Sequence, residues 1–253
     1  MIDTHAHLYA KEFHEDITQV ISNAKKAGVS KILLPNIDLE SLGAMDRLIA
    51  SDSTLFKKMY GLHPCSVDEN YIDVLDKLEQ SLDKDDFIAI GEIGIDLYWD
   101  KTFKEEQKKA FLSQCSWAKQ TNRPIVIHSR ESTDLIIDLL KKNYDGLLTG
   151  VFHCFTGTAE QAHTIIDMGY YLGIGGVVTF KNTTLRKELE SVPLERLVLE
   201  TDSPYLSPVP YRGKRNESAY VYEVAKTLAD VYNLSMDEVI RVTTSNAIKL
   251  FNL

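Results

Sequence analysis

Cysteine is scarce in this sequence of 253 residues. Cys65, Cys115 and Cys154 lie far apart and are odd in number, which excludes a disulfide framework and points to a reducing compartment. Long apolar runs are also missing. None approaches the roughly 18 residues of a membrane span, and Met1-Ile2-Asp3-Thr4-His5 lacks the basic and then apolar pattern of a secretory leader. A cytoplasmic protein with no membrane partner is expected. Basic residues are in deficit: 28 Lys+Arg against 37 Asp+Glu leave a net charge of −9. That balance disfavours non-specific adhesion to DNA over the whole surface, yet leaves room for a local cationic site. No low-complexity linker or compositional break divides the chain, and no obligate protein partner is evident. With 44% hydrophobic and 26% charged residues, the composition excludes a disordered chain.

Short apolar, β-branched runs recur between longer amphipathic stretches. They are Ile2 to His7, Lys31 to Asn36, Lys58 to His63, Phe87 to Ile93, Pro124 to His128, Gly150 to Phe155, Tyr170 to Gly175 and Leu197 to Asp202. Repeated βα units on a parallel sheet read this way. Between them, Lys104 to Gln120 carries Phe111, Cys115 and Ala118 on one helical face and lysines on the other. Thr158 with Gln161, and Ser235 with Glu238, have the capping-box spacing of helix starts. No glycine-rich phosphate loop follows the first run, which argues against a dinucleotide-binding doubly wound sheet. Eight such units in about 250 residues match a single (β/α)₈ TIM barrel. The expectation is therefore an α/β fold with one domain over 1–253.

In such a barrel the loops at the carboxyl ends of the strands form the active face. Polar residues gather there. His5 and His7 close the first run, His63 the third, Glu92 the fourth, His128 the fifth, His153 the sixth and Asp202 the eighth; of seven histidines, only His14 and His163 fall elsewhere. Side chains two apart on a strand share a face, so His5 and His7 are able to grip one ion. Glu92 stands in Ala89-Ile90-Gly91-Glu92-Ile93, an apolar strand where a carboxylate requires a partner. A pair of metals is one, because a carboxylate bridges ions about 3.5–4 Å apart; a buried Arg or Lys is the alternative. His128 and His153 could complete a second metal site or be hydrogen-bonded core histidines.

Four histidines and two carboxylates exceed one tetrahedral site, so two divalent metal ions are the natural count, with zinc, manganese or magnesium as candidates. Asp202 could hold a metal and accept a proton as general base, or simply cap a helix. His63 suits a substrate contact or a turn-stabilising hydrogen bond. Cys154 beside His153 is expected to face away from the barrel axis, which disfavours a Cys/His nucleophile. Arg212, Lys214 and Arg215 follow the proline-dense segment Pro204 to Pro210. At a barrel mouth Arg212 and Lys214, with Arg130, are placed to bind a phosphate group, or are solvated surface charges.

Taken together, Ile2-Asp3-Thr4-His5-Ala6-His7-Leu8, Gly91-Glu92-Ile93-Gly94-Ile95-Asp96, His153-Cys154-Phe155-Thr156-Gly157 and Glu200-Thr201-Asp202-Ser203-Pro204-Tyr205-Leu206 resemble the TatD family of metal-dependent deoxyribonucleases, a branch of the amidohydrolase-like barrels. The resemblance runs nearly end to end. It implies that His5, His7, Glu92 and Asp202 serve a first metal and Glu92, His128 and His153 a second, with Glu92 bridging where many related amidohydrolases use a carbamylated lysine. It places His63 at the substrate site. It also implies hydrolysis of DNA phosphodiester bonds, often exonucleolytic. Where the family reads Asn-Glu-Pro after the basic loop, this chain has Asn216-Glu217-Ser218, a departure at a helix start that removes no ligand. Two rival readings accompany this one: a hydrolase of a small ester, amide or lactone with the same metal site, and a nucleic-acid-binding module whose metals are structural.

Overall fold

The computed structural model describes residues 1–83, 86–143 and 146–253. Eight parallel strands follow one another in sequence order: β1 (Ile2–Asp3), β2 (Lys31–Leu34), β3 (Phe56–Tyr60), β4 (Ala89–Asp96), β5 (Ile125–Arg130), β6 (Gly150–Phe152), β7 (Tyr171–Ile174) and β8 (Leu197–Leu199). The circle closes through the amide N–H of Thr4, which donates to Leu199 O at 2.9 Å, and through a parallel bridge between Ala6 and Ser203. This is a (β/α)₈ TIM barrel.

The helices form the outer layer. They are α1 (Ile17–Lys26), α2 (Leu39–Ser51), α3 (Tyr71–Glu79), α4 (Lys104–Thr121), α5 (Thr133–Lys142), α6 (Ala159–Asp167), α7 (Leu185–Leu189), α8 (Val221–Tyr232) and α9 (Met236–Phe251). Thr158 and Gln161 form the reciprocal capping box of α6. At α9, Ser235 accepts from the Glu238 amide. A short 3₁₀ turn, Ser218–Tyr220, leads into α8, so the helix starts without the family's proline. Among the described residues, no helix is long and apolar enough to cross a membrane.

One apolar side chain from each strand enters the barrel interior. Ile2, Leu33, Met59, Ala89, Val126, Val151, Tyr171 and Val198 pack together there, with Leu250 and Phe251 of α9 against them. This layer closes the amino-terminal end of the barrel, so polar residues further along each strand can collect only at the other end. The opposite faces of the strands pack against the helices in a larger apolar core. Helix α4 does more than cover the sheet. Its buried Gln114 brackets Leu62, accepting from the amide N–H at 2.6 Å and donating to the carbonyl at 3.2 Å, while Gln107 accepts from the Asp96 amide at 2.9 Å. These bonds fix the chain at the ends of β3 and β4, where the polar side chains begin.

Candidate metal centre

On β3, β5, β6 and β8 period two carries the interior face upward from the apolar layer. His128 is two residues beyond Val126 and His153 two beyond Val151, while His63 is four beyond Met59 and Asp202 four beyond Val198. Glu92 is three beyond Ala89 and would face outward on a regular strand. The register between β4 and β5 shifts between Ile90 and Ile93, and this irregularity turns the Glu92 side chain inward.

Six of the ladders end earlier than the apolar runs suggest, while β4 and β5 run on to Asp96 and Arg130. His5, His7, His63, His153 and Asp202 lie beyond the paired segments, and only Glu92 and His128 sit within theirs. Cys154 corrects the sequence expectation. Its φ is +47°, so the alternation that would send its thiol outward has already stopped at Phe152. The residue lines the same cavity as His153, and burial pushes its thiol well above the usual range, which leaves it poorly nucleophilic.

Glu92 lies at the centre, 2% exposed. One of its oxygens is 2.8 Å from His128 Nδ1, 2.9 Å from His153 Nε2 and 3.4 Å from His63 Nε2. The other is 3.1 Å from His5 Nε2 and 3.7 Å from His7 Nε2. Asp202 Oδ1 stands 3.4 Å from His7 Nε2 and 3.8 Å from His5 Nε2. All six residues expected from the sequence to hold metal therefore converge, with His63 beside them. The partners of Glu92 are imidazoles rather than a buried Arg or Lys. Burial raises its carboxyl pKa, but His153, His63, His5 and His128 outweigh that and hold it well below the ordinary glutamate range.

The contacts of the outer ring nitrogens fix which nitrogen of each ring faces the carboxylates. The Tyr9 hydroxyl donates to Pro35 O at 2.5 Å, so its oxygen accepts from His7 Nδ1 at 3.0 Å, and His7 Nε2 is the nitrogen that faces Glu92 and Asp202. His128 Nε2 donates to Asp96 Oδ2 at 2.8 Å, leaving Nδ1 towards Glu92. His153 Nδ1 faces Glu200 Oε1 at 3.5 Å, with Nε2 towards Glu92. Burial lowers the proton affinity of His128 and His153, but Asp96, Glu92 and Glu200 outweigh it and raise both pKa values, so these rings share protons with the carboxylates that divalent ions would replace. The residues fit a metal centre.

His63 is the opposite case. Its Nδ1 accepts from the Cys65 amide at 3.0 Å, so its inner Nε2 carries the proton and is a donor.

Asp96, Glu200 and Tyr9 are the functional residues that sequence reasoning left without a role. For two of them a signal was present: Asp96 follows Glu92 by four residues in the same apolar strand, and Glu200 precedes Asp202 by two. Glu200, 1% exposed, also accepts from the Cys154 amide. Carboxylates that orient metal-binding imidazoles typically contribute about 10–100-fold in metal affinity. Glu200→Gln is therefore expected to weaken metal binding by about that factor, with little change in the melting temperature of the metal-free protein. Competition titration against a chromogenic chelator checks it, and unchanged affinity contradicts the orienting role.

His7, His63, Glu92, Asp96, His128, His153 and Asp202 line a cavity of about 1010 Å³, whose rim includes Arg130, Tyr98, Trp99 and Tyr205. Arg212 and Lys214 do not line it. Arg212 donates to Ser207 O at 3.0 Å and lies over the Phe180 ring at 3.8 Å, while Lys214 is exposed. Arg215, from the same basic loop, forms a bidentate pair with Asp16 at 2.8 and 2.6 Å.

Residues 2–252 match the family described as TatD related DNase. An uncharacterized metal-dependent hydrolase of Bacillus subtilis, YabD, is 37% identical over 100% of this chain and 99% of its own length. An uncharacterized metal-dependent hydrolase of Escherichia coli K12, YcfH, is 33% identical over 100% and 96%. Among solved structures, the TatD homologue YjjV of Escherichia coli superposes with a TM-score of 0.93 at 29% identity, covering 100% of this chain and 98% of that one.

Proposed function

Because this chain belongs to the TatD-related DNase family and is a metal-dependent hydrolase, we propose that it hydrolyses phosphodiester bonds of DNA, working inward from strand ends, with two divalent ions in the cavity. The observation that carries the reading is the convergence of imidazoles and two carboxylates on one point at the barrel mouth. His5, His7, Glu92 and Asp202 would hold one ion and Glu92, His128 and His153 the other. Zinc, manganese or magnesium bound there supplies the Lewis acidity that activates water and draws charge from a phosphoryl oxygen.

The side chains divide the remaining work. The Asp202 carboxylate, 15% exposed at the cavity wall, is the base that takes the proton of the attacking water. The protonated Nε2 of His63 donates to a non-bridging phosphate oxygen. Arg130, at the rim, pairs with the adjoining phosphate. Arg212 and Lys214 stand outside the cavity and meet the backbone of a longer strand, which makes their contribution salt-dependent.

Protein purified without chelator is expected to contain close to two equivalents of metal and to degrade single-stranded DNA. EDTA abolishes that activity, and manganese added after EDTA removal restores it. Metal analysis paired with parallel assays on single-stranded DNA and on small esters and lactones checks this. Ester turnover with no nuclease activity overturns the DNA reading, and DNA retention without cleavage in metal-loaded protein overturns hydrolysis.

A further inference from the structure

Asp96 joins the candidate metal centre to a feature of the rim. While its Oδ2 takes the proton of His128 Nε2, its Oδ1 accepts from the backbone N–H groups of Tyr98 at 2.9 Å and Trp99 at 3.1 Å. The turn after β4 is thus pinned by a carboxylate that is itself 1% exposed. Two large rings nevertheless leave that turn for solvent, Tyr98 at 49% and Trp99 at 70% exposure. They meet edge to face, with centroids 4.9 Å apart. Arg130, at the end of β5, lays its guanidinium carbon 3.7 Å from the Tyr98 centroid and 5.1 Å from that of Trp99. One cation and two rings form a packed unit on the wall that also carries His128. Trp99, farther from the cation and the more exposed of the two rings, offers the larger free aromatic surface.

We propose that Trp99, held by Tyr98 and Arg130, is a stacking platform for a base at a single-stranded DNA end, which sets the neighbouring phosphate against Arg130 and over Glu92. This rests on the phosphodiester reading of the site. A nucleotide combines a flat π-face with an anion, and the rim offers a ring and a guanidinium side by side to match both. A base inside a duplex has both faces covered by its neighbours, so the platform selects unstacked ends. Every base presents a π-face, so selection among sequences is weak. The cavity of about 1010 Å³ has room for a base as well as its phosphate, whereas a small ester would leave most of it unused. The anchoring by Asp96 gives the platform a fixed position relative to His128, so stacking sets where along the strand the reacting phosphate lies.

The test separates base recognition from cleavage. Fluorescence anisotropy is measured on metal-loaded protein with an end-labelled single strand made resistant by phosphorothioate linkages, and with the same strand carrying tetrahydrofuran abasic residues at its terminus. Wild type is expected to prefer the base-bearing end by about 10- to 100-fold, the range of a base–aromatic stack. Trp99→Ala reduces that preference to about threefold or less, and Trp99→Phe, which keeps a ring, retains most of it. A circular-dichroism melt confirms that both variants fold. An unchanged preference in Trp99→Ala, or no preference in wild type, overturns the platform. Wild type that cleaves DNA without base preference removes the platform and keeps the hydrolytic reading; base preference without cleavage does the reverse.

Discussion

Glu92→Ala is expected to reduce DNA hydrolysis by at least about 10³-fold, the scale on which losing a principal electrostatic group at a reaction centre is felt. The geometry explains why this residue outweighs the others. Five imidazoles approach its two oxygens within 2.8–3.7 Å, so it contributes to both proposed ion positions at once, whereas each histidine contributes to one. Removing it leaves a set of imidazoles and a single carboxylate, Asp202, facing the proposed ion positions, too little negative charge to hold two divalent ions at close range. Metal content is therefore expected to fall together with activity. The fold should persist, because the apolar layer from Ile2 to Val198 and the β4 pairings do not depend on this side chain. Glu92→Gln, which keeps the volume and removes the charge, should lose nearly as much activity. Elemental analysis, a nuclease assay and a thermal melt on the same preparations check this. A folded Glu92→Ala protein with wild-type turnover would contradict the bridging role.

The barrel was legible because parallel strands buried on both faces read as continuous apolar runs, and the eight runs coincide with the eight observed strands. Their ends were not. A run such as Leu197 to Asp202 remains buried as far as Thr201, yet its ladder stops at Leu199, because burial persists in the curled segments that aim side chains into the cavity. Hydropathy records burial, and hydrogen-bond pairing leaves no comparable mark. Cys154 was misplaced for that reason: alternation was carried past the last paired residue. The convergence of His5, His7, Glu92, His128, His153 and Asp202 was anticipated by their position at strand ends, whereas His63, read as a substrate contact, proves equally near Glu92 and differs only in which nitrogen carries its proton. That difference depends on the Cys65 amide, and the orientation of His128 depends on Asp96. The first exists only once the turn after β3 is formed, and the second only once β4 pairs with β5. The stacking of Arg130 on Tyr98 joins the end of β5 to the turn after β4 and leaves no sign in either segment alone.

Gly94→Ala is expected to destabilise the protein by about 4 kcal/mol, combining left-handed backbone strain with overpacking, and to lower the melting temperature by about 8–16 °C for a chain of this size. Gly94 has φ +146°, a conformation L-residues rarely adopt, and a Cβ there would lie 2.0 Å from the carbonyl oxygen of His128. That atom is backbone in the paired neighbour of Gly94 on β5, so no side-chain rotation relieves the clash and the two strands must separate. They would separate at the level of His128, whose Nδ1 lies 2.8 Å from Glu92, so surviving folded protein should also bind metal less tightly. Gly213→Ala is the control. Gly213 has a positive φ of +79°, but nothing lies within 4 Å of an added Cβ, so only conformational strain applies and the cost should be about 1 kcal/mol. Urea denaturation of the two metal-free variants beside wild type gives the comparison directly. If Gly94→Ala proves no more costly than Gly213→Ala, the close approach of β4 to β5 is not what requires glycine there; a several-fold larger loss identifies that approach as the packing constraint that sets His128 against Glu92.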